Sequence, residues 1–178
     1  NRELLLNAIS QKFNPHALNY CINEKLNDST FDQTFISYKG NFEIQEELNG
    51  LKFNISPKSF FQTNPVQAEK LYEVVLNFAE ISKNDLVYDL YCGTGTITCI
   101  AASRAKNAIG VEIIDEAIQA AKINASIYDI TNVEFIVCDM KDVFNLQFYA
   151  SHGSPDIIIT DPPRSGMHPK VVEYLSEI

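Results

Sequence analysis

Four carboxylate side chains lie at or just after the ends of short apolar runs that are typical of buried strands. They are Asp89, Glu112, Asp139 and Asp161. The first precedes a turn, residues 91–96, in which Gly93 and Gly95 permit a tight bend and close approach of a ligand to the backbone. Glu112 comes 19 positions after Gly93, near the spacing of about 20 expected for a carboxylate that binds ribose hydroxyls. Together these features indicate a ligand that contains adenosine.

The charge near the glycine turn favours S-adenosylmethionine over a dinucleotide. Asp89 places a carboxylate where a pyrophosphate would otherwise lie, and Thr98 occupies the position of the third glycine in a dinucleotide-binding turn. A carboxylate repels phosphate but attracts the ammonium and sulfonium groups of the methyl donor. The alternative role of Asp89 is to accept hydrogen bonds within the turn, and a dinucleotide remains the alternative ligand.

Asp139 and Tyr91 each have two interpretations. Asp139 follows the third strand of the series, where its carboxylate would reach the adenine amine, or it caps the segment that begins near Met140. Tyr91 either packs against the ligand or fills space beside it. The residue types alone do not separate these roles.

The fourth carboxylate opens the turn Asp161-Pro162-Pro163-Arg164-Ser165-Gly166. The two prolines stiffen the backbone and remove two amide donors, which leaves Asp161 at the ligand-facing edge. Enzymes that methylate exocyclic amino groups have a similar segment with an aromatic residue where this chain has Arg164. The arginine disfavours amino methylation and leaves room for methylation of a ring carbon. The alternative is an ordinary strand-to-helix turn with Arg164 on the surface.

Alternating strands and helices must position these side chains. Strands are predicted at residues 86–90, 108–111, 133–137 and 156–160, with helices after Thr96, Asp115 and Pro169. Such alternation predicts an α/β fold, in which helices cover a parallel sheet and right-handed crossovers join its strands.

A helix is also predicted before the first of these strands. Asn64 is suited to be its cap and Pro65 to be its first residue, and the helical pattern continues to about Phe78. The predicted core face of this helix consists of Ala68, Leu71, Val75 and Phe78.

The first third of the chain forms a smaller α+β piece. Residues 1 to about 12 have helical spacing, and Asn49-Gly50 joins two alternating runs as a favoured hairpin turn. The residues predicted to share one side of the first helix are Leu4, Leu5, Ala8 and Ile9.

Four motifs, in this order and spacing, resemble those of the RNA uracil-5 methyltransferases, which modify transfer RNA and large-subunit ribosomal RNA. They are Phe60-Phe61-Gln62-Thr63-Asn64, the glycine turn, Glu112 and the Asp161 segment. The resemblance covers nearly the whole chain. It implies a Rossmann-like, class I S-adenosylmethionine-dependent methyltransferase fold with a parallel sheet incomplete at the carboxyl end. Residues 1–58 would be the end of the central domain, and residues 59–178 a truncated methyltransferase domain.

By position, the resemblance implies which residues bind S-adenosylmethionine. The set is Gln62, Tyr91, Gly93, Thr96, Glu112 and Asp161, with Asp139 as an addition. Many members of the family have Asn where this chain has Thr96, although a hydroxyl can also donate or accept a hydrogen bond.

The resemblance also implies the reaction. Carbon 5 of uracil is a poor nucleophile until a cysteine thiolate adds to carbon 6, after which the enolate takes the methyl group, a base removes the carbon 5 proton and the cysteine leaves. The family's cysteine and glutamate lie in later segments, so we expect no catalytic residue in this chain and a nucleophilic cysteine beyond Ile178. The chain's own cysteines, Cys21, Cys92, Cys99 and Cys138, do not match the catalytic position.

Composition limits the partners of the chain. Its formal net charge of −9 argues against binding nucleic acid alone, because phosphate contact depends on clustered Lys and Arg. RNA is therefore expected to bind mainly through other regions of a longer protein. The cysteine spacing predicts no metal site and a reduced, cytoplasmic setting. The absence of a long apolar run predicts no membrane insertion.

Two alternative functions remain, an RNA cytosine-5 methyltransferase and a non-catalytic nucleoside-binding module that meets a protein partner.

There is also a structural expectation for a sheet that ends at its fourth strand. Ile157, Ile158 and Ile159 would then lie at an edge, and exposed edges invite pairing. This predicts either a dimer formed through that strand or reduced stability.

Overall fold

The computed structural model describes residues 1–26, 33–59 and 61–177. These residues form two compact units. One comprises Asn1–Glu46 and Asn54–Phe61, and the other comprises Glu47–Phe53 and Gln62–Ile178. Phe60, from the first motif of the family resemblance, and Ile178 lie outside the described residues. The assignment of residues 1–58 to the end of a central domain remains a prediction.

The first unit contains helix α1 (Arg2–Phe13) and the antiparallel strands β1 (Ala17–Tyr20) and β2 (Ile36–Gly40). The helix was predicted, but its buried side was not. Leu6 is its buried residue, whereas Leu4 and Leu5 are exposed.

A hairpin follows, formed by β3 (Ile44–Leu48) and β4 (Leu51–Ile55). Its turn residues Asn49 and Gly50 both have positive φ, at 52° and 76°, as a two-residue turn of type I′ requires. The predicted hairpin is confirmed.

The second unit contains helix α2 (Pro65–Phe78), and the predicted cap is confirmed because Asn64 Oδ1 accepts a 3.2 Å hydrogen bond from the Gln67 backbone. The predicted core face is wrong in part. Ala68 is buried as expected, but the other buried positions are Tyr72 and Leu76. Leu71 and Phe78, which were assigned to the core, are 52% and 86% exposed.

A four-stranded parallel sheet forms the centre of this unit. Its strands are β5 (Leu86–Leu90), β6 (Asn107–Glu112), β7 (Val133–Val137) and β8 (Ile157–Thr160), in the order β7-β6-β5-β8. The helices that alternate with them are α3 (Thr96–Ala102), α4 (Asp115–Ile127), α5 (Leu146–His152) and α6 (Pro169–Glu177). This arrangement confirms the predicted α/β class and parallel sheet. Helix α5 was not predicted, and the segment expected to begin near Met140 is the short 3₁₀ turn Met140–Asp142.

The strand order reverses between β5 and β8, because β6 and β7 lie on one side of β5 and β8 on the other. Ligands of open α/β sheets bind outside the carboxyl ends of the strands at such a point. Among the described strands β8 is at the sheet edge, as expected, and its pairing with another copy remains a prediction. No helix in the described ranges is long and apolar enough to cross a membrane.

Candidate functional site

The register of the sheet brings the predicted carboxylates to one edge. Leu90 is opposite Val111 of β6 and Thr160 of β8, so the next residues along those strands, Glu112 and Asp161, flank the start of the glycine turn. Glu112 is opposite Val137 of β7, and Asp139 follows two residues later. Together with Asp89 near the end of β5, four acidic side chains lie at the carboxyl ends of four neighbouring strands.

The turn between β5 and α3 is held in an unusual backbone conformation. Tyr91, Gly93 and Gly95 have φ values of 64°, 53° and 78°. For tyrosine this left-handed conformation costs about 1 to 2 kcal/mol, and such strain concentrates at functional sites.

The two glycines of the turn have different reasons to be glycine. A Cβ on Gly93 would meet nothing within 4 Å, so its backbone faces open space. A Cβ on Gly95 would come within 2.7 Å of Phe135 and 2.9 Å of Ala121. Close approach of a ligand to the backbone is therefore a property of Gly93, whereas Gly95 packs against the core.

Asp89 is a buried carboxyl group with one unsatisfied oxygen. Asp89 is 1% exposed, and its Oδ2 accepts a 2.6 Å hydrogen bond from the Thr98 hydroxyl. Within the described residues, Oδ1 has no hydrogen-bond partner. Burial raises the pKa of Asp89 to about 7, with contributions from the nearby Asp161 and Glu112, although the bonds from Thr98 oppose the shift. Near neutral pH, Asp89 is thus poised to ionise when a cation arrives.

Glu112 connects the glycine turn to the end of β6. Its Oε1 accepts hydrogen bonds from the backbone of Ile113 (2.8 Å) and Ile114 (3.1 Å), and its Oε2 accepts one from Gly93 (3.3 Å). These bonds fix the orientation of a carboxylate whose remaining lone pairs can still accept from hydroxyl groups. Ile113, which sequence reasoning missed, is 58% exposed beside it. An exposed apolar side chain at a polar site suits a flat aromatic ligand.

Asp139 has the capping role that was one of its two interpretations. Its Oδ1 accepts a 3.1 Å bond from the Lys141 backbone, and its Oδ2 lies 2.9 Å from Lys141 Nζ. These bonds from Lys141 lower the pKa of Asp139, so the group stays ionised and can only accept hydrogen bonds. Contact between Asp139 and a ligand remains a prediction.

Gln62 lies against a residue that sequence reasoning also missed. That residue is Tyr72, which is buried on α2 at 6% exposure. Burial, together with the neighbouring charges of Asp161 and Asp89, raises the pKa of Tyr72 to about 12, and the side chain of Gln62 opposes this shift. Gln62 and the two carboxylates therefore influence the same phenol. The apolar spacing of α2 predicted that Leu71 is buried, and no pattern in the sequence indicated that Tyr72 is buried instead.

The remaining predicted residues differ in exposure. Thr96 is the first residue of α3 and is buried at 7% exposure, whereas Asp161 and Arg164 are exposed on the segment after β8. Tyr91 is partly buried, and desolvation together with Asp139 and Glu112 raises its pKa.

The cysteines nearest the glycine turn are not prepared to act as thiolates. Burial raises the pKa of Cys92 well above its ordinary value and that of Cys99 to about 12, and nearby Asp89 acts in the same direction. Burial also raises the pKa of Cys138. A protonated thiol is a weak nucleophile. Across the described ranges, no group of three His, Cys, Asp or Glu side chains is arranged to hold a metal ion.

Two protein families match more than half of the chain. Residues 81–174, from just before β5 into α6, match the family described as a methyltransferase domain. The chain belongs to the methyltransferase domain family. A family described as DNA methylase matches residues 19–123, a range that ends within α4 and excludes the Asp161 segment. The observed sheet and the family together establish the class I methyltransferase fold, and they agree with S-adenosylmethionine as the predicted cofactor.

Relatives of this methyltransferase domain are described as RNA methyltransferases of uncharacterized role. One from Porphyromonas gingivalis is 46% identical over 176 residues, covering 98% of this chain and 38% of the relative. One from Bacteroides thetaiotaomicron is 47% identical over 159 residues, covering 89% of this chain and 35% of the relative. The chain therefore spans little more than a third of their length.

A solved structure with both sequence and structural similarity is that of a Pyrococcus abyssi transfer RNA (uracil-54, C5)-methyltransferase in complex with S-adenosyl-L-homocysteine. It is 30% identical to this methyltransferase domain, with a TM-score of 0.72, and the match covers 95% of this chain and 40% of the other.

Proposed function

We propose that this chain is the S-adenosylmethionine-binding part of an RNA methyltransferase that methylates carbon 5 of uridine. The observation that carries the proposal is the unpartnered Oδ1 of buried Asp89 at the strand edge where Glu112, Asp139 and Asp161 also lie. A concentration of acceptors with an unsatisfied buried carboxyl oxygen suits a ligand with a cationic tail and ribose hydroxyls.

The side chains present fit the methyl donor group by group. Glu112, already oriented by three backbone amides, would accept from the ribose hydroxyls. Ile113 would pack against adenine, and ionised Asp139 would accept from its amine. Gln62, Tyr91, Thr96 and Asp161 would complete the contacts, and open space beside Gly93 would admit the ligand close to the backbone.

The chemistry that the cofactor supplies when bound is an electrophilic methyl group on a sulfonium. The residues of this chain would orient that group and exclude pyrophosphate ligands through the charge of Asp89. The raised pKa values of Cys92 and Cys99 do not suit addition to carbon 6. We propose that the nucleophilic cysteine is supplied from outside these residues, which is compatible with the greater length of the relatives.

The choice of carbon 5 of uridine is supported by the 30% identical transfer RNA (uracil-54, C5)-methyltransferase and by the motifs Gln62, Glu112 and Asp161. RNA as the substrate is supported by the relatives described as RNA methyltransferases. With a formal charge of −9, the chain would leave most phosphate contacts to other parts of the protein.

Methylation of an exocyclic amino group is a second candidate, because a family described as DNA methylase also matches. The residue after the proline pair weakens this candidate. Amino-methylating enzymes resemble the segment but have an aromatic residue there to stack the base, and this chain has the exposed Arg164.

Two experiments test the proposal. Calorimetric titration of the folded chain with S-adenosylhomocysteine should give saturable binding, whereas NAD should give none. The full gene product should then convert uridine to 5-methyluridine in RNA from cells that lack the gene, as detected by nucleoside mass spectrometry. Absence of binding would remove the cofactor assignment, and a 5-methylcytidine or N-methylated product would replace the uridine assignment.

A further inference from the structure

Asn124 is a buried polar residue on α4 whose side chain reaches the glycine turn. It is 1% exposed, and its Nδ2 donates a 3.1 Å hydrogen bond to the carbonyl oxygen of Thr94. A carbonyl oxygen can only accept, so the amide nitrogen is the end of the side chain that faces the turn. Thr94 is itself 3% exposed, and loss of this donor would leave a buried carbonyl unsatisfied.

The Thr94 carbonyl belongs to a peptide that lies just outside the hydrogen-bond ladder of α3. The N–H of Cys99 donates at 2.9 Å to the next carbonyl along the chain, that of Gly95. The other end of the Thr94 peptide, the N–H of Gly95, donates at 2.9 Å to the Cys92 carbonyl and closes a four-residue turn that contains Gly93. Because glycine adopts either sign of φ, a peptide beside Gly95 needs partners at both ends to keep one orientation.

Helix α4 supports the packed side of this four-residue turn. Its buried residues include Ala121 and Asn124, and a Cβ on Gly95 would lie 2.9 Å from Ala121. A Cβ on Gly93 would meet nothing within 4 Å. One glycine of the turn therefore packs against α4 and the other faces open space, and Asn124 binds the residue between them.

We propose that Asn124 is a positioning residue for the cofactor, which holds the peptide between Thr94 and Gly95 so that the backbone of Gly93 stays open to the ligand. This inference rests on the proposed binding of S-adenosylmethionine by this chain. At 1% exposure, Asn124 acts through the turn and does not touch the ligand. Without its amide, the Thr94 carbonyl turns towards another donor and the Gly95 N–H leaves the Cys92 carbonyl. The shape that binds the ligand then becomes a minor conformation of the turn.

The proposal predicts a loss of affinity in variants that remain folded. Asn124→Ala should weaken S-adenosylhomocysteine binding about tenfold, because loss of one buried hydrogen bond shifts a conformational equilibrium by about that factor. Asn124→Leu has a similar branched shape without a donor and should lose a similar factor. Calorimetric titration well below the melting temperature of each variant would measure both losses. Normal binding by Asn124→Leu would show that packing alone supports the turn, and would overturn the inference.

The matched control is Asn132→Ala, because Asn132 also holds backbone carbonyls with its side-chain amide. Its Nδ2 donates to Ala102 at 2.9 Å and to Lys106 at 3.2 Å, but it lies just before β7, at the amino end of the strands and away from the acidic edge. Asn132→Ala should lower the melting temperature by several degrees and bind S-adenosylhomocysteine within about twofold of the unsubstituted chain. Equal affinities in Asn124→Ala and Asn132→Ala would reduce Asn124 to a residue that only stabilises the fold.

A measurement on the unsubstituted chain covers the case in which the Asn124 variants do not fold. If the Asn124 bond favours the turn shape that binds the ligand, the ligand must favour the bond to the same extent, because coupling is reciprocal. Saturating S-adenosylhomocysteine should therefore slow the exchange of the Asn124 side-chain NH₂ protons with water, followed by NMR, and leave those of Asn132 nearly unchanged. An equal change in both side chains, or none in either, would contradict the inference. Failure of the unsubstituted chain to bind S-adenosylhomocysteine would instead overturn the proposed function.

Discussion

The Thr98 hydroxyl donates a 2.6 Å hydrogen bond to Oδ2 of Asp89, and both residues are at most 1% exposed. The bond satisfies one carboxyl oxygen, while Oδ1 has no partner among the residues described. Burial outweighs the bond and raises the pKa of Asp89 to about 7. A group that changes charge near neutral pH therefore lies directly before the glycine turn.

Cofactor affinity should rise with pH through the titration of Asp89. The ammonium group of the ligand prefers the ionised carboxylate, so below a pKa of about 7 binding must first remove a proton. S-adenosylhomocysteine should bind about tenfold more weakly at pH 6 than at pH 8. Calorimetry at both values would measure this, and buffers of different ionisation enthalpy at pH 7 should reveal proton release.

The control for this titration is Asp89→Asn, which carries no charge at either pH. Its affinity should be lower than that of the unsubstituted chain at pH 8 and should not vary between pH 6 and pH 8. Equal affinity of the unsubstituted chain at the two pH values would show that Asp89 does not meet the ligand's charge.

The same substitution should stabilise the unliganded chain at alkaline pH. Because the pKa of Asp89 is raised in the folded state from 3.8 to about 7, its favourable contribution is complete below about pH 3.8 and is lost as the pH rises through 7. At pH 8, Asp89→Asn should therefore increase the free energy of unfolding by at least about 1 kcal/mol. At pH 4 the difference should nearly vanish, and urea unfolding at both pH values would detect it.

A destabilising outcome at pH 8 would mean that the lost carboxylate makes a favourable contact that outweighs its burial. Asp115→Asn is a suitable reference, since Asp115 is exposed in the first turn of α4. It should have a small effect at both pH values.

Local signals were sufficient to place most elements of the second unit. Asn64 and Pro65 mark the start of α2 because their side chains act on adjacent backbone, and the run 86–90 became β5 with the predicted bounds. The common edge of the carboxylates also followed from the sequence, because parallel strands must align their carboxyl ends.

Contacts between distant residues could not be predicted in this way. Asn124 of α4 is 1% exposed, and its amide donates a 3.1 Å bond to the Thr94 carbonyl, 30 residues earlier. This bond holds the glycine turn, yet a polar residue in a helix is ordinarily assigned to the surface. On α2, apolar residues surround the helix, so periodicity did not distinguish buried Tyr72 from exposed Leu71. Tertiary packing decides both cases.

The two glycines of the turn should respond differently to alanine. Gly95→Ala places a Cβ within 2.9 Å of Phe135 and Ala121 at a φ of 78°, so we expect the melting temperature to fall by several degrees, since packing and backbone strain act together.

In Gly93→Ala the new Cβ meets no atom within 4 Å, so the substitution should cost only the strain of its backbone conformation. Its main effect should be weaker binding of S-adenosylhomocysteine, because the new methyl group occupies the space beside the ligand. Thermal unfolding and calorimetric titration of both variants would separate the effects, and a larger stability loss for Gly93→Ala would contradict this division of roles.

Glu112 should be required for the nucleoside part of the ligand. In Glu112→Gln, one oxygen can still accept from Ile113 and Ile114, but the amide nitrogen would face the Gly93 N–H, which is also a donor. The turn should shift and a ribose acceptor should be lost, so we expect at least tenfold weaker binding of both S-adenosylhomocysteine and 5′-methylthioadenosine.

The control is Glu116→Gln, which makes the same chemical change at an exposed glutamate in the first turn of α4. This variant should bind both ligands normally. Selective loss of S-adenosylhomocysteine alone in Glu112→Gln would place this carboxylate at the amino-acid tail instead of the ribose, because both ligands share the ribose and only one has the tail.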